Sequence, residues 1–196
     1  MNRRDALLRV ATLVGATVSL PALADTLEAS AAARAVSGKP LLFTADQDAM
    51  VAEMAEVIIP TTSTPGAKAA KVNEVIDIIL KDCYREPEQK RFLEGLVTTN
   101  KVSRDAYNKT FVECDNAQRI DVMKKLETQA KQERQQMMQG PADKRYTPFF
   151  FMLKDLTLMG YFTSEIGATQ ALAYVPVPGR FEGCVPLKPG QKAWAI

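Results

Sequence analysis

Apolar residues recur at helical spacing through most of the chain beyond residue 44. Thr44 and Gln47 stand in capping-box order, and Met50, Met54, Val57 and Ile58 follow at i, i+4, i+7 and i+8, which predicts a helix that Pro60 stops. The run 61–64 offers an N-cap and Pro65 a first helical position, ahead of an apolar stripe of Val72, Val75, Ile76, Ile79, Leu80 and Cys83. A third helix is predicted from near Pro87, carrying Phe92, Leu93, Leu96 and Val97, with its later turns weakened by Thr98, Thr99 and Asn100. Asp115 and Gln118 repeat the capping spacing before Ile120, Met123 and Leu126, and Gly140-Pro141 ends that helix. Thr147-Pro148 opens a segment in which Phe149, Phe150, Met152, Leu153, Leu156 and Met159 are too dense for a solvated helix. It is expected at the centre of the core.

No window alternates with period two between turn signals, so the fold class read here is all-α: a helical bundle with an extended Pro/Gly-rich C-terminal arm. Pro176, Pro178, Pro186 and Pro189, with Gly179, Gly183 and Gly190, forbid a long helix in that arm and favour polyproline-like backbone that does not fold on itself. Phe181, Val185, Leu187 and Trp194 are apolar anchors along it, and either the bundle or a partner must bury them.

The first residues belong to a different class of segment. Arg3 and Arg4 precede a mildly hydrophobic stretch that ends in Ala22-Leu23-Ala24, the small-x-small pattern of a signal-peptidase site. The charge-free run 10–24 is shorter than the roughly 20 residues of a spanning helix. The arginine pair resembles a bacterial twin-arginine signal, which exports folded cargo and implies a periplasmic location. The expected organisation is a signal at 1–24, a flexible linker at 25–43, a helical domain at 44–175 and the arm at 176–196. Removing 1–24 takes the basic residues from 25 to 22 and the acidic ones from 23 to 22. The neutral remainder carries no dense basic patch, which argues against nucleic acid as a partner.

Composition narrows the chemistry further. The chain has no histidine, which excludes nucleophile–His triads, His-containing zinc sites and C-x-x-C-H haem attachment. No dinucleotide or P-loop glycine pattern follows a strand-like run. Asp46 and Asp48 complement the dipole of a helix start, and Ser164-Glu165 reads as a helix cap or bend beside Gly160 and Gly167. No catalytic, cofactor-binding or metal-binding residue is assigned. Cys83, Cys114 and Cys184 cannot all pair within one chain. Cys83 and Cys114 lie near helix ends and could meet, leaving Cys184 free or bridged to a partner; three buried free thiols are the other arrangement.

Two segments, IIPTTSTPGAKAAKVNEVID at 58–77 and LKDLTLMGYFTSEIGATQALAYVPVPGRFEGCVPL at 153–187, resemble the gluconate 2-dehydrogenase subunit 3 family. The resemblance implies a non-catalytic small (gamma) subunit of a membrane-associated bacterial dehydrogenase. It implies a large glucose-methanol-choline-type flavoprotein partner holding FAD, and a multihaem cytochrome c, with haem c, that often takes the electrons onward. The small subunit of such complexes commonly carries the twin-arginine signal, so the twin-arginine translocase is a further expected partner. The complex is expected in the periplasm, peripherally attached to the inner membrane. Export-signal residues are then Arg3, Arg4, Ala22 and Ala24, and the expected partner interface comprises Tyr161, Phe162, Thr163, Tyr174, Pro178, Phe181 and Cys184. A free-standing periplasmic helical module that binds a ligand or another protein is the alternative.

Overall fold

The computed structural model describes residues 40–141, 145–177, 179, 184, 186 and 189–195. The export-signal residues Arg3, Arg4, Ala22 and Ala24, and the arm residues Pro178 and Phe181, lie outside the described residues. Among the described residues the elements are α1 (Ala45–Ile58), α2 (Val72–Cys83), α3 (Glu86–Tyr107), α4 (Asn116–Gln139), α5 (Phe149–Thr163) and a π-helical turn, Gly167–Ala171. No strand is present among them, in agreement with the all-α expectation.

The local signals explain most boundaries. Thr44 and Asp115 each accept the N–H of the residue three ahead, and Gln47 and Gln118 reach back to the cap N–H, so both capping boxes are complete. Gly140 ends α4, and Pro148 sits at the entry of α5.

Helix α2 departs from expectation. It starts at Val72, seven residues beyond Pro65, after Lys71 takes a left-handed backbone at φ 52°. Long-range hydrogen bonds hold 60–70 as a loop, and these outweigh the helix-starting preference of Pro65. On the apolar stripe Val72, Ile76 and Leu80 are buried, whereas Cys83 is exposed.

Helix α3 runs unbroken through the expected weak point. The hydroxyls of Thr98 and Thr99 donate to the carbonyls of Glu94 and Gly95, and the Asn100 side chain accepts the Phe111 N–H, so these residues satisfy their polar groups without breaking the helix.

Helix α5 is the hub, packing against α1, α2, α3 and α4. Its Met152, Leu153 and Leu156 are at most 2% exposed and join Val51, Met54, Ile76, Leu80, Phe92 and Leu96 in one core. An aromatic file extends that core: Phe43 stacks on Phe92, which meets Phe149 edge-on at 5.1 Å.

The segment entering α1 is held by Asp77. This α2 carboxylate, 3% exposed, accepts the backbone N–H of Leu41 at 2.5 Å and those of Leu42 and Phe43 at 2.9 Å each. Residues 41–43, the end of the linker expected at 25–43, are therefore hydrogen-bonded to α2.

Beyond the π-turn, Ala173 forms a parallel bridge with Trp194. Its N–H donates to the Ala193 carbonyl at 2.8 Å and its carbonyl accepts the Ala195 N–H at 3.0 Å. The end of the arm thus pairs with the last stretch of the helical domain, one of the two surfaces expected to receive it.

Candidate functional site

The two segments that carried the family resemblance meet in space. Residues 60–68 are shaped by Glu56, one turn from the end of α1. Its Oε1 accepts the N–H (2.8 Å) and the hydroxyl (2.7 Å) of Thr61, and its Oε2 accepts the Lys68 N–H at 2.9 Å. Thr61 Oγ1 in turn accepts the Gly66 N–H at 3.0 Å. A Cβ at Gly66 would lie 2.6 Å from the Thr61 backbone nitrogen as well as 2.5 Å from the Glu56 carboxylate, so only glycine fits inside this turn. Partial burial pushes Glu56 up, but the hydrogen bonds from Lys68 and Thr61, with the Lys68 charge, pull it further down. Its carboxyl is held below the ordinary value.

Glu53 completes the support one turn earlier. Its carboxylate pairs with Lys68 at 2.7 Å and with Arg119 of α4 at 2.5 Å, and Arg119 also donates to the carbonyls of Phe111 and Val112. These charges are satisfied within the chain. They brace the loop and are not arranged for acid–base work.

From the other side comes the end of α5. Tyr161 is 2% exposed and its hydroxyl donates to the Pro65 carbonyl at 2.7 Å. Gly160 brings α5 against Val72 and Val75 of α2. Ser164 then bends the chain, its hydroxyl donating to the Tyr161 carbonyl at 2.6 Å while accepting the Gly167 N–H at 3.0 Å. A Cβ at Gly167 would fall 1.9 Å from the Tyr161 carbonyl oxygen, so the π-turn requires glycine there. Ser164 is the capping and bending residue expected from sequence.

The expected interface residues separate into two groups. Tyr161 belongs to the core; at 2% exposure it has no surface to offer a partner, and its role is to join the two segments. Phe162 and Tyr174 are exposed, at 40% and 54%, and Thr163 and Cys184 are exposed as well. Met159, expected in the core, is 44% exposed, and Val175 and Val177 are exposed beside Tyr174. Helical spacing alone missed Met159 because the apolar density of α5 exceeds the face its neighbours cover. All three cysteines are free: Cys83 and Cys184 are exposed and Cys114 is buried, so the Cys83–Cys114 pairing is not formed.

Open clefts of about 280–320 Å³ lie around the Tyr146–Thr147 segment. Arg91 stands 4.0 Å above the Tyr146 ring and Glu133 accepts its hydroxyl, so these polar walls already satisfy one another. Among the described residues no group of three His, Cys, Asp or Glu is placed to hold a metal, and no helix is long and apolar enough to cross a membrane.

A family model described as gluconate 2-dehydrogenase subunit 3 matches residues 45–179. That span starts at the first residue of α1 and includes the segment 58–77 and the second segment as far as residue 179, with Tyr161 and Pro65 both inside it. No curated protein and no solved structure matches the chain. Matched over the whole helical domain, the chain belongs to the gluconate 2-dehydrogenase subunit 3 family, a subunit of a multisubunit dehydrogenase.

Proposed function

We propose that this chain is the non-catalytic small subunit of a membrane-associated periplasmic FAD-dependent dehydrogenase. In this reading it binds and stabilises a flavoprotein large subunit and carries it, folded, through twin-arginine export. FAD resides in the large subunit, and haem c in a cytochrome subunit that receives the electrons. Family membership is the observation that carries the reading. The arginine pair and Ala-Leu-Ala site at the start of the sequence support the export role, and the lack of histidine supports a partner as the seat of catalysis. The physical logic is that a flavin fold acquires its cofactor where FAD is abundant. A subunit that binds the folded state stabilises it by mass action and supplies its address.

The test is affinity capture of the full chain, native signal included, from the periplasm of its own organism, followed by mass spectrometry and a flavin absorbance spectrum. The expected result is a large flavoprotein in the eluate that disappears from the periplasm when Arg3→Lys and Arg4→Lys are combined. A flavin-free monomer would refute the subunit role.

A further inference from the structure

We propose that the loop between α1 and α2 and the stretch from the end of α5 to residue 177 form one charge-poor docking face, whose occupant is the dehydrogenase large subunit. The proposal rests on the subunit role proposed above and says where on this chain that partner sits.

The first observation is the distribution of charge. In a chain with 24% charged residues, none occurs between Glu56 and Lys68, and Glu165 is the only one between Asp155 and Arg180. These two stretches, about a hundred residues apart in sequence, are joined by the hydrogen bond from Tyr161 to Pro65 and by Gly160 against Val72. Two charge-poor segments have therefore been folded side by side.

The second observation is what this region leaves open. Thr62 and Ser63 are exposed on the loop, and Met159, Phe162 and Tyr174 are 40–54% exposed on the other segment. Depletion of charge with enrichment of methionine and aromatics is the composition of the desolvated centre of a protein interface. The neighbouring charges Glu53, Lys68 and Arg119 pair with one another, as groups at an interface rim do. Exposed apolar residues elsewhere lack this setting: Val97 on α3 stands between Glu94 and Lys101, and Met138 on α4 follows Glu133 and Arg134.

The third observation is rigidity. Gly66 and Gly167 have no room for a Cβ, and the loop is tied at both ends to Glu56. A face already in its bound shape loses little entropy on docking. The occupant is a protein and not a lipid surface, because a membrane-binding face pairs its apolar residues with lysine and arginine free to meet lipid headgroups. Here Lys68 and Arg119 are held by Glu53, Lys192 donates to the Gln170 carbonyl, and Glu165 is exposed beside them.

The experiment implants charge on this face in the full chain, expressed in its own organism with the native large subunit. Ser63→Glu with Phe162→Glu tests the face, and Val97→Glu with Met138→Glu serves as the control. All four positions are exposed, and unchanged circular dichroism and unfolding midpoint verify the fold; should Phe162→Glu lower the midpoint, Met159→Lys replaces it. The expected result is a fall of more than about tenfold in large-subunit recovery for the face pair and less than about twofold for the control. Unchanged recovery with the face pair, or equal loss with both pairs, would overturn the docking site while leaving the subunit role standing. Capture of no flavoprotein by the unsubstituted chain would overturn both. Flotation with phosphatidylglycerol vesicles is a further readout: loss of vesicle binding with large-subunit recovery intact would assign the face to a membrane and refute the proposal.

Discussion

Removing the Asp77 carboxylate should release the start of the folded domain from α2. In the native chain this 3% exposed group accepts three consecutive backbone N–H groups, at 2.5, 2.9 and 2.9 Å. Hydrogen bonds to a charged group contribute roughly 1.5–3 kcal/mol each when considered singly. Three are not lost additively, because the segment can detach and let water take the orphaned donors. Detachment exposes Phe43, worth roughly 1.5–3 kcal/mol of burial, and forfeits the three bonds, most of whose contribution is offset by about 1–2 kcal/mol of backbone entropy regained per freed residue. The cheaper route sets the cost, and Asp77→Ala is expected to lose about 2–4 kcal/mol. Asp77→Asn discriminates between geometry and charge. Its carbonyl oxygen can keep the Leu42 and Phe43 bonds, while its amide faces the Leu41 N–H. With one bond of the three lost, the asparagine variant should lose about half as much as alanine. Urea unfolding gives the free energies, and amide exchange read by mass spectrometry follows residues 41–43. A loss under about 0.5 kcal/mol in Asp77→Ala, with protection at 41–43 unchanged, would refute the reasoning.

Gly167→Ala forces a Cβ to 1.9 Å from the Tyr161 carbonyl oxygen, and urea unfolding should show a loss of about 1–3 kcal/mol, whereas Gly179→Ala, with nothing within 4 Å, should be nearly silent. Glu56 is held below its ordinary value of 4.5, so its contribution to stability is present above the unfolded-state pKa and is lost as pH falls through the lower folded-state value. A pH series of unfolding midpoints should therefore show a shallower acid decline in Glu56→Gln than in the parent, and an identical decline would contradict this assignment.

The readable parts of the fold were those whose causes lie within four residues. The capping boxes at Thr44 and Asp115 and the stop at Gly140-Pro141 are local devices, and each appears where the sequence places it. The start of α2 was misread because the groups that keep 60–70 out of the helix are Glu56 and Tyr161, the latter 96 residues from Pro65. Thr98 and Thr99 read as helix-weakening, but their hydroxyls find carbonyls one turn back. At the candidate face, the sequence places Tyr161, Phe162, Thr163 and Tyr174 in one expected interface but cannot tell which member points inward. Tyr161 and Phe162 are adjacent, their rings edge-to-face at 5.3 Å, and only packing against Pro65 decides that the first is core and the second surface.

The position of α5 also governs when the domain can assemble. Helix α5, which packs against all four of the others, is the last of the five to be synthesised. Until Thr163 has left the ribosome, α1 to α4 lack the surface against which most of their apolar stripes close, and at roughly 5–20 residues per second that interval lasts several seconds. The domain therefore closes only after α5 has emerged, and until then the nascent chain is a set of half-built amphipathic segments.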